Sequence, residues 1–220
     1  FMLEWLEMMK SCVEETTFAS YTSMVKKRIV PYFLEKRYTL NEMEENPKYI
    51  QEYYQYELNL GLSANTVIHR HANIRKALQY AFQIGLIKSN PADRIERPKK
   101  EKYVASYYNT EELDTLFKVS KDDPMELAII LAAFYGLRRS EVVGLKWNAI
   151  DFERKTITIQ YTVTEANLND GRGNVIIEKE RTKSKTSRRT LPLVKPFEDL
   201  LIRMYLEQKK NRKLCGDCYC

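Results

Sequence analysis

An arginine pair that directly follows an apolar helix is the part of this sequence best suited to chemistry. The segment from 133 to 147 reads AFYGLRRSEVVGLKW, and its helix is predicted to end at Gly136, just before Arg138. Glycine permits a sharp turn, so a rigid scaffold would aim the Arg138 guanidinium. That group stays protonated, can grip two oxygens of one phosphate, and can offset charge in a phosphorane-like transition state. An internal ion pair between Arg138 or Arg139 and Glu141 is an equally open interpretation.

A second candidate is the basic run from Thr182 to Arg189, which is predicted to lie between two strands. A lysine on a tight hairpin, either Lys183 or Lys185, could donate a proton to a leaving oxygen or lie beside a phosphate. The alternative is a solvated basic loop, which is the commoner role of such charge runs.

A third candidate is a predicted helix that begins after Ser63. Its N-terminal amide groups could bind phosphate, and Arg70, Asn73 and Lys76 are predicted to face outwards, opposite an apolar stripe. Any surface helix carries polar residues, so this signal is weak by itself. His69 and His71 cannot share one helix face, which argues against a metal site there.

The composition limits the classes of protein that remain. The chain has 220 residues, 44% hydrophobic and 30% charged, which is ordinary for a globular protein. Its net charge of +6 favours a polyanionic partner, either nucleic acid or an acidic membrane surface. No apolar run is long enough to span a bilayer, and the first ten residues do not fit a secretory signal. The cysteines at 215, 218 and 220 lack a fourth metal ligand, so reduced thiols in the cytoplasm are expected, with no metal.

A basic segment that contains a proline divides the sequence into two predicted domains. We expect an all-helical domain over 1–97, a linker over 98–102 and a mixed domain over 103–220. In the first domain, helices are predicted from Met2 to Met9, from Thr16 to a stop at Pro31, after an Asn46 N-cap, and from Ser63 to a stop at Gly85.

The second domain is predicted to combine helices with strands. Asn109 and Glu112 form a capping box for a helix to about Ser120, and a second helix, from Met125 to Tyr135, is apolar nearly all round and therefore predicted to be buried. The remaining predicted elements are strands over 155–161, 175–177 and 188–193, a turn over 169–173, and a last helix that begins at Pro196.

Taken in order, four segments resemble the tyrosine recombinases, especially the integrases of phages and conjugative elements. They are GLSANT at 61–66, AFQIGLIKSNPA at 81–92, YGLRRSEVVGLKW at 135–147 and TKSKTSRRTLPL at 182–193, and the third is the most specific. The resemblance implies a multidomain α and α+β fold. An N-terminal, all-α, SAM-like core-binding domain would precede the first part of a catalytic domain, which has helices and a small antiparallel sheet.

The resemblance also implies a function and a set of site residues. The family recombines double-stranded DNA at specific sites through a 3′-phosphotyrosyl link, works as a tetramer on paired sites, and needs no cofactor. Arg138 would clamp the scissile phosphate, Glu141 would brace it, and Lys183, or alternatively Lys185, would be the general acid. Contacts with DNA are expected from Ser63, Asn65, Thr66, Arg70, Asn73, Lys76, Lys99, Lys100, Arg139, Lys185 and Arg188.

One departure from the family affects the expected activity. In the family, a His-x-x-Arg box and the tyrosine nucleophile follow the lysine hairpin, and neither is recognised between that hairpin and Cys220. We therefore expect a fragment of an integrase that binds DNA but does not cleave it alone. The alternatives are a non-catalytic DNA-binding protein with the same fold, and an unrelated basic α+β protein.

Overall fold

The computed structural model describes residues 1–168, 173–180, 188–195 and 197–218. The chain divides into two compact units, one of residues 1–105 with 166–175 and one of residues 106–165 with 176–220. Within the described ranges, no helix is both long enough and apolar enough to cross a membrane.

The first unit is built from helices that surround an aromatic and aliphatic core. Trp5, Leu6, Ile50, Tyr53 and Val67 are among the side chains fully enclosed there. The helical segments are α1 (Met2–Met9), α2 (Glu15–Met24), a π-helical turn (Val25–Ile29), α3 (Val30–Lys36), α4 (Leu40–Glu45), α5 (Lys48–Asn59), α6 (Ala64–Gln83) and a 3-10 turn (Pro91–Arg94).

Pro31 does not end the second predicted helix, and in this respect the prediction was wrong. The helix continues through the π-helical turn into α3, where Pro31 occupies the first turn. Proline lacks an N–H group and its ring crowds the preceding turn, so a wider turn immediately before it relieves the conflict. Val25 and Ile29, at the two ends of the π turn, are both buried in the core.

A capping side chain fixes the start of α6. The Ser63 Oγ accepts a hydrogen bond from the Thr66 N–H at 3.2 Å, which confirms the predicted start of α6. Gly85, just beyond the end of α6, has a φ of +77°, which glycine adopts without strain. The predicted Asn46 cap is wrong by one residue, because Asn46 follows the end of α4 and Pro47 directly precedes α5.

The second unit combines helices with short strands. The capping box of Asn109 and Glu112 is confirmed at the start of its first helix, with hydrogen bonds of 2.9 and 2.8 Å. The elements are α7 (Thr110–Val119), α8 (Glu126–Ala133), α9 (Arg139–Val143), β1 (Ile150–Asp151), β2 (Thr156–Ile159), β3 (Thr162–Asn167), β4 (Asn174–Lys179), β5 (Arg189–Pro192) and α10 (Phe197–Cys215), of which the end of β3 and the start of β4 are assigned to the first unit.

The strands form two small sheets. In the first, β2 lies between β1 and β5 and is antiparallel to both, with Ile157 opposite Leu191 and Ile159 opposite Arg189. In the second, β4 pairs with β3, a strand that the sequence did not reveal. The predicted turn over 169–173 falls mostly outside the described residues, and Pro196 lies outside them too.

The core of the second unit lies between the first sheet and the helices, and α8 is less enclosed than predicted. Leu131, Leu137, Ile157, Ile159, Leu193 and Leu201 make up this core. Of the residues of α8, Ile130 and Leu131 are buried, whereas Phe134, directly after the helix, is half exposed. The prediction of a helix buried all round was therefore wrong, because the described elements cover one face of α8.

Candidate functional site

The turn at Gly136 places Arg138 directly outside the core of the second unit. Gly136 has a φ of +64°, and the Leu137 N–H donates to the Leu131 carbonyl at 3.1 Å, which closes the end of α8. Leu137 is consequently buried in the core, and the next residue, Arg138, precedes the first turn of α9. A rigid apolar anchor thus holds the backbone of Arg138, as the sequence predicted.

A single buried carboxylate joins two arginines at this point. Glu141 is 2% exposed and accepts hydrogen bonds from the Arg138 backbone N–H and the Arg138 Nη1, both at 3.0 Å. The Arg189 guanidinium bonds the same carboxylate with both terminal nitrogens, Nη1 at 3.1 Å and Nη2 at 2.8 Å. Such a bidentate pair fixes the plane of the carboxylate as well as its position.

These contacts keep the Glu141 carboxylate ionised. The hydrogen bond from Arg189 is the largest cause that lowers the pKa of Glu141 to about 2; burial opposes it, and the Arg138 backbone and side chain lower the pKa further. The same hydrogen bond raises the pKa of Arg189. Two guanidinium groups therefore share one negative charge, and the cluster of Arg138, Glu141 and Arg189 retains a net positive charge.

Exposure distinguishes the two arginines. The Arg138 side chain is 68% exposed, whereas the Arg189 side chain is 28% exposed. The two interpretations that the sequence left open are thus both correct in part, because Arg138 forms the ion pair with Glu141 and still presents its guanidinium to solvent. An anion that approaches this site would meet Arg138.

The ionisation of Glu141 leads to an expected pH dependence of stability. Its pKa in the folded protein, about 2, lies below the ordinary value of 4.5, so its contribution is complete above that value and is lost as the pH falls from 4.5 towards 2. Urea unfolding should therefore show that Glu141→Gln is less stable than the wild type at about pH 6, with a smaller difference at about pH 3. Glu153→Gln, on an exposed turn, is the control. A difference between Glu141→Gln and wild type that did not change with pH would contradict this account.

Sequence reasoning missed Arg189, although a signal for it was present. The residues of β5 alternate between half-buried and exposed, and Arg189 shares the inner side of the strand with Leu191. Its neighbour Arg188 is exposed, as is Arg139. Lys183 and Lys185 lie outside the described residues.

Gly144 holds α9, and with it Glu141, close to the sheet. A Cβ atom at this position would lie 2.9 Å from the Thr162 Cα and 2.9 Å from the Ser140 carbonyl oxygen. Both distances are too short for a real Cβ atom. The end of α9 therefore packs directly on the backbone at the start of β3, with no room for a side chain at position 144.

In the first unit, the start of α6 presents polar side chains as predicted. Ser63 is exposed, and its Oγ lies 3.0 Å from the Thr66 Oγ1. The Asn65 Nδ2 donates to the Glu101 carbonyl at 3.3 Å, which links α6 to the basic segment that follows this bundle. Lys99 and Lys100 of that segment are exposed and outside helices and strands.

Arg70 and Asn73 do not face outwards, so their predicted orientation was wrong. The Arg70 side chain is 12% exposed, and its Nε donates to the buried Glu57 Oε2 at 3.3 Å. Asn73 is 4% exposed, and its Nδ2 donates to the His69 carbonyl at 3.0 Å. The reason is that α6 is covered on a second face by α5 and by the π-helical segment, so polar residues there need partners in the interior.

Lys76 and His71 have different surroundings on the same helix. Lys76 is exposed as predicted, with its Nζ 3.3 Å from the Tyr21 Oη. His71 is half-buried, and its Nδ1 lies 2.8 Å from the Oη of the buried Tyr54. Burial lowers the pKa of His71, and Arg97 and Arg75 lower it further, so this histidine is an interior hydrogen-bonding group. In the part of the chain that the structure describes, no group of three or more His, Cys, Asp or Glu could hold a metal ion.

Comparison with known proteins shows what this chain resembles. Residues 1–58 match the model of the phage integrase N-terminal SAM-like domain. The tyrosine recombinase XerC-like protein of Caldanaerobacter subterraneus is 27% identical over 181 residues, which are 77% of this chain and 46% of the relative. The tyrosine recombinase XerC of Staphylococcus aureus is 29% identical over 114 residues, 50% of this chain and 38% of the relative. The chain thus spans less than half the length of these curated relatives.

Solved structures show the same fold. The Tn1549 transposon integrase, determined with circular intermediate DNA, has a TM-score of 0.61 at 19% identity. The matched region covers 84% of this chain and 58% of the integrase chain. A lambda integrase dimer bound to a core site has a TM-score of 0.59 at 17% identity, covering 80% of this chain and 47% of its own. The predicted fold class, a helical SAM-like domain followed by helices with small sheets, is confirmed. The chain is thus similar in sequence to tyrosine recombinases and integrases, and it shares their fold.

Proposed function

We propose that this chain binds double-stranded DNA as part of a site-specific recombinase of the integrase type, which exchanges strands through a 3′-phosphotyrosyl link. The observation that carries the proposal is the exposed Arg138 guanidinium, which the buried Glu141 orients at the edge of the core. The family supports it, because the related integrases were solved in complex with DNA. In this proposal, residues 1–97 form the core-binding domain, 98–102 the linker and 103–220 part of the catalytic domain.

Arg138 is the residue that would meet the scissile phosphate. A guanidinium can hydrogen-bond two oxygens of one phosphate and offset the charge that develops as the phosphorus becomes five-coordinate. Glu141 takes up one nitrogen, Nη1, and the backbone N–H, which leaves the rest of an exposed group to face the DNA. By the family resemblance, Lys183 or Lys185 would protonate the leaving 5′-oxygen.

Most of the affinity is proposed to come from contacts with the phosphate backbone. These contacts position a protein on the duplex and make binding fall steeply with salt. The residues proposed to make them are Ser63, Asn65, Thr66, Lys76, Lys99, Lys100, Arg139, Lys185 and Arg188. Arg70 and Asn73 are left out because both side chains are largely buried and donate hydrogen bonds inside the bundle. Self-association on paired sites is part of the proposal, since a lambda integrase was solved as a tetramer on a Holliday junction.

The salt dependence of duplex binding tests this function. We expect the logarithm of the association constant of the wild type to fall linearly with the logarithm of the salt concentration. Arg138→Ala should weaken binding and reduce that slope by about one, the change for one lost phosphate contact. Fluorescence anisotropy with a labelled duplex at several salt concentrations measures both quantities.

A matched variant separates the site from bulk charge. Arg154→Ala removes an exposed arginine from the turn between β1 and β2, where its partner is Asp151. It should change the affinity less than Arg138→Ala does. A wild-type chain without salt-dependent binding, or an equal loss in the two variants, would overturn the proposal.

A further inference from the structure

Arg189 has a structural role in the cluster of Arg138, Glu141 and Arg189 that its position beside the basic run does not indicate. It begins β5, directly after the segment that includes Lys183, and lies opposite Ile159 of β2. Its partner, Glu141, is 48 residues earlier in the chain, on α9. The pair therefore connects the sheet to the short helix that follows Arg138.

Arg189 is poorly placed to contact DNA directly. Both of its terminal nitrogens bond the Glu141 carboxylate, and its side chain is mostly enclosed. Arg138, in contrast, bonds the carboxylate with one terminal nitrogen, Nη1, and is largely exposed. The carboxylate thus has one partner that fixes it and another that it orients towards solvent.

The way the four hydrogen bonds are shared supports this division of roles. Oε1 of Glu141 accepts from the Nη1 of each arginine, and Oε2 accepts from the Arg189 Nη2 and the Arg138 backbone N–H. Without Arg189, each carboxylate oxygen would keep one bond, Oε2 to the Arg138 backbone N–H and Oε1 to the mobile Nη1 of the Arg138 side chain, so Oε1 would have no fixed partner. The fork of Arg189 defines the plane of the carboxylate and so the direction in which Arg138 is held.

We propose that Arg189 is a positioning residue, which acts through Glu141 to set the orientation of the Arg138 guanidinium. The consequence of this role, stronger binding of a DNA phosphate by Arg138, rests on the proposed function. The inference goes beyond that function because it gives Arg189 a role in which the residue touches no DNA.

Four variants of the full chain test the inference, and the first measurement is made without DNA. The Nε–H signal of Arg138 is identified in the NMR spectrum by its loss in Arg138→Lys. Arg189→Lys keeps the positive charge beside Glu141 but cannot form the fork, and Arg189→Ala removes both. If Arg189→Ala fails to fold, Arg189→Lys still decides the question, because a cation remains next to the buried carboxylate. Arg154→Ala is the control for the loss of an arginine.

In the first measurement, we expect the Arg138 signal to shift and its order parameter to fall in Arg189→Lys and Arg189→Ala, and to stay as in the wild type in Arg154→Ala. An Arg138 signal that is unchanged in Arg189→Lys would show that charge alone is sufficient and would overturn the inference. This result does not depend on DNA binding, so it stands apart from the proposed function.

The second measurement is a double-variant cycle on duplex affinity. We expect Arg189→Lys to weaken binding by about tenfold, within the range of coupled residues in one hydrogen-bond network. The double variant Arg138→Ala/Arg189→Lys should bind no more weakly than Arg138→Ala alone. Losses that multiply in the double variant would mean that Arg189 acts independently of Arg138, against the inference. Absence of wild-type binding would refute the proposed function and leave the NMR result to decide the role of Arg189.

Discussion

Arg70→Ala is expected to lower the free energy of unfolding of the first unit by about 3–5 kcal/mol. The variant removes the guanidinium that bonds Glu57, a carboxylate that is almost fully buried between α5 and α6. Taking a charge out of water is costly, and the cost is offset in the wild type by the contact with Arg70. Without that contact, the interior has to hold an uncompensated charge or a protonated acid. Urea unfolding followed by circular dichroism measures the loss.

Two further variants make this prediction specific. Lys76→Ala removes an exposed cation from the same helix, and the free energy of unfolding should change by no more than about 0.5 kcal/mol. The pair Glu57→Leu/Arg70→Leu removes both charges and should recover much of the loss, because an apolar pair needs no compensation. Equal stability of Arg70→Ala and the wild type would show that the Glu57 contact does not form in solution.

Leu201→Ala should destabilise the second unit by about 2–5 kcal/mol. Leu201 lies on α10 and is enclosed with Leu131, Leu137, Ile157 and Ile159 in the core beneath the first sheet. Truncation to alanine removes three carbon atoms and leaves a cavity that the rigid sheet fills only in part. Leu137 precedes Arg138 in the chain, so loosening of this core should also weaken the anchor of the arginine site.

The same substitution elsewhere on α10 provides the control. Leu206 is 59% exposed, so Leu206→Ala deletes the same atoms with little loss of buried area and should change stability by about 0.5 kcal/mol or less. Thermal and urea unfolding of both variants, side by side, measure the difference. Similar losses in the two variants would mean that α10 does not pack on the sheet as described.

The features that were predictable from sequence depend on residues close together in the chain. The caps at Ser63 and Asn109 were recognised because a helix start needs a side-chain acceptor for amides within three residues. The turn at Gly136 and the alternation of β2 were recognised because their signals also lie within a few neighbouring residues. The segment YGLRRSEVVGLKW at 135–147 added a family-specific motif, and the fold class followed from that resemblance.

The features that were missed depend on partners far apart in the chain. Arg70 was assigned to the surface because its partner Glu57 is 13 residues away on another helix, and nothing in a helical pattern marks that pairing. The link between Arg189 and Glu141 joins two elements, β5 and α9, at residues 48 positions apart in the chain. Similarly, α8 was taken as buried because its composition is apolar, whereas burial is decided by the elements that surround it.

The π-helical turn of Val25–Ile29 has a consequence for transferring residue roles between relatives. A π turn holds one residue more than the α turn it replaces, so it acts as a single-residue insertion inside a helix. In an alignment with a relative whose helix is regular here, residues up to Met24 and residues from Val30 onwards have numbering offsets that differ by one. An alignment without a gap at this place would pair each residue of α3 with the neighbour of its true counterpart, about a quarter of the way around the helix.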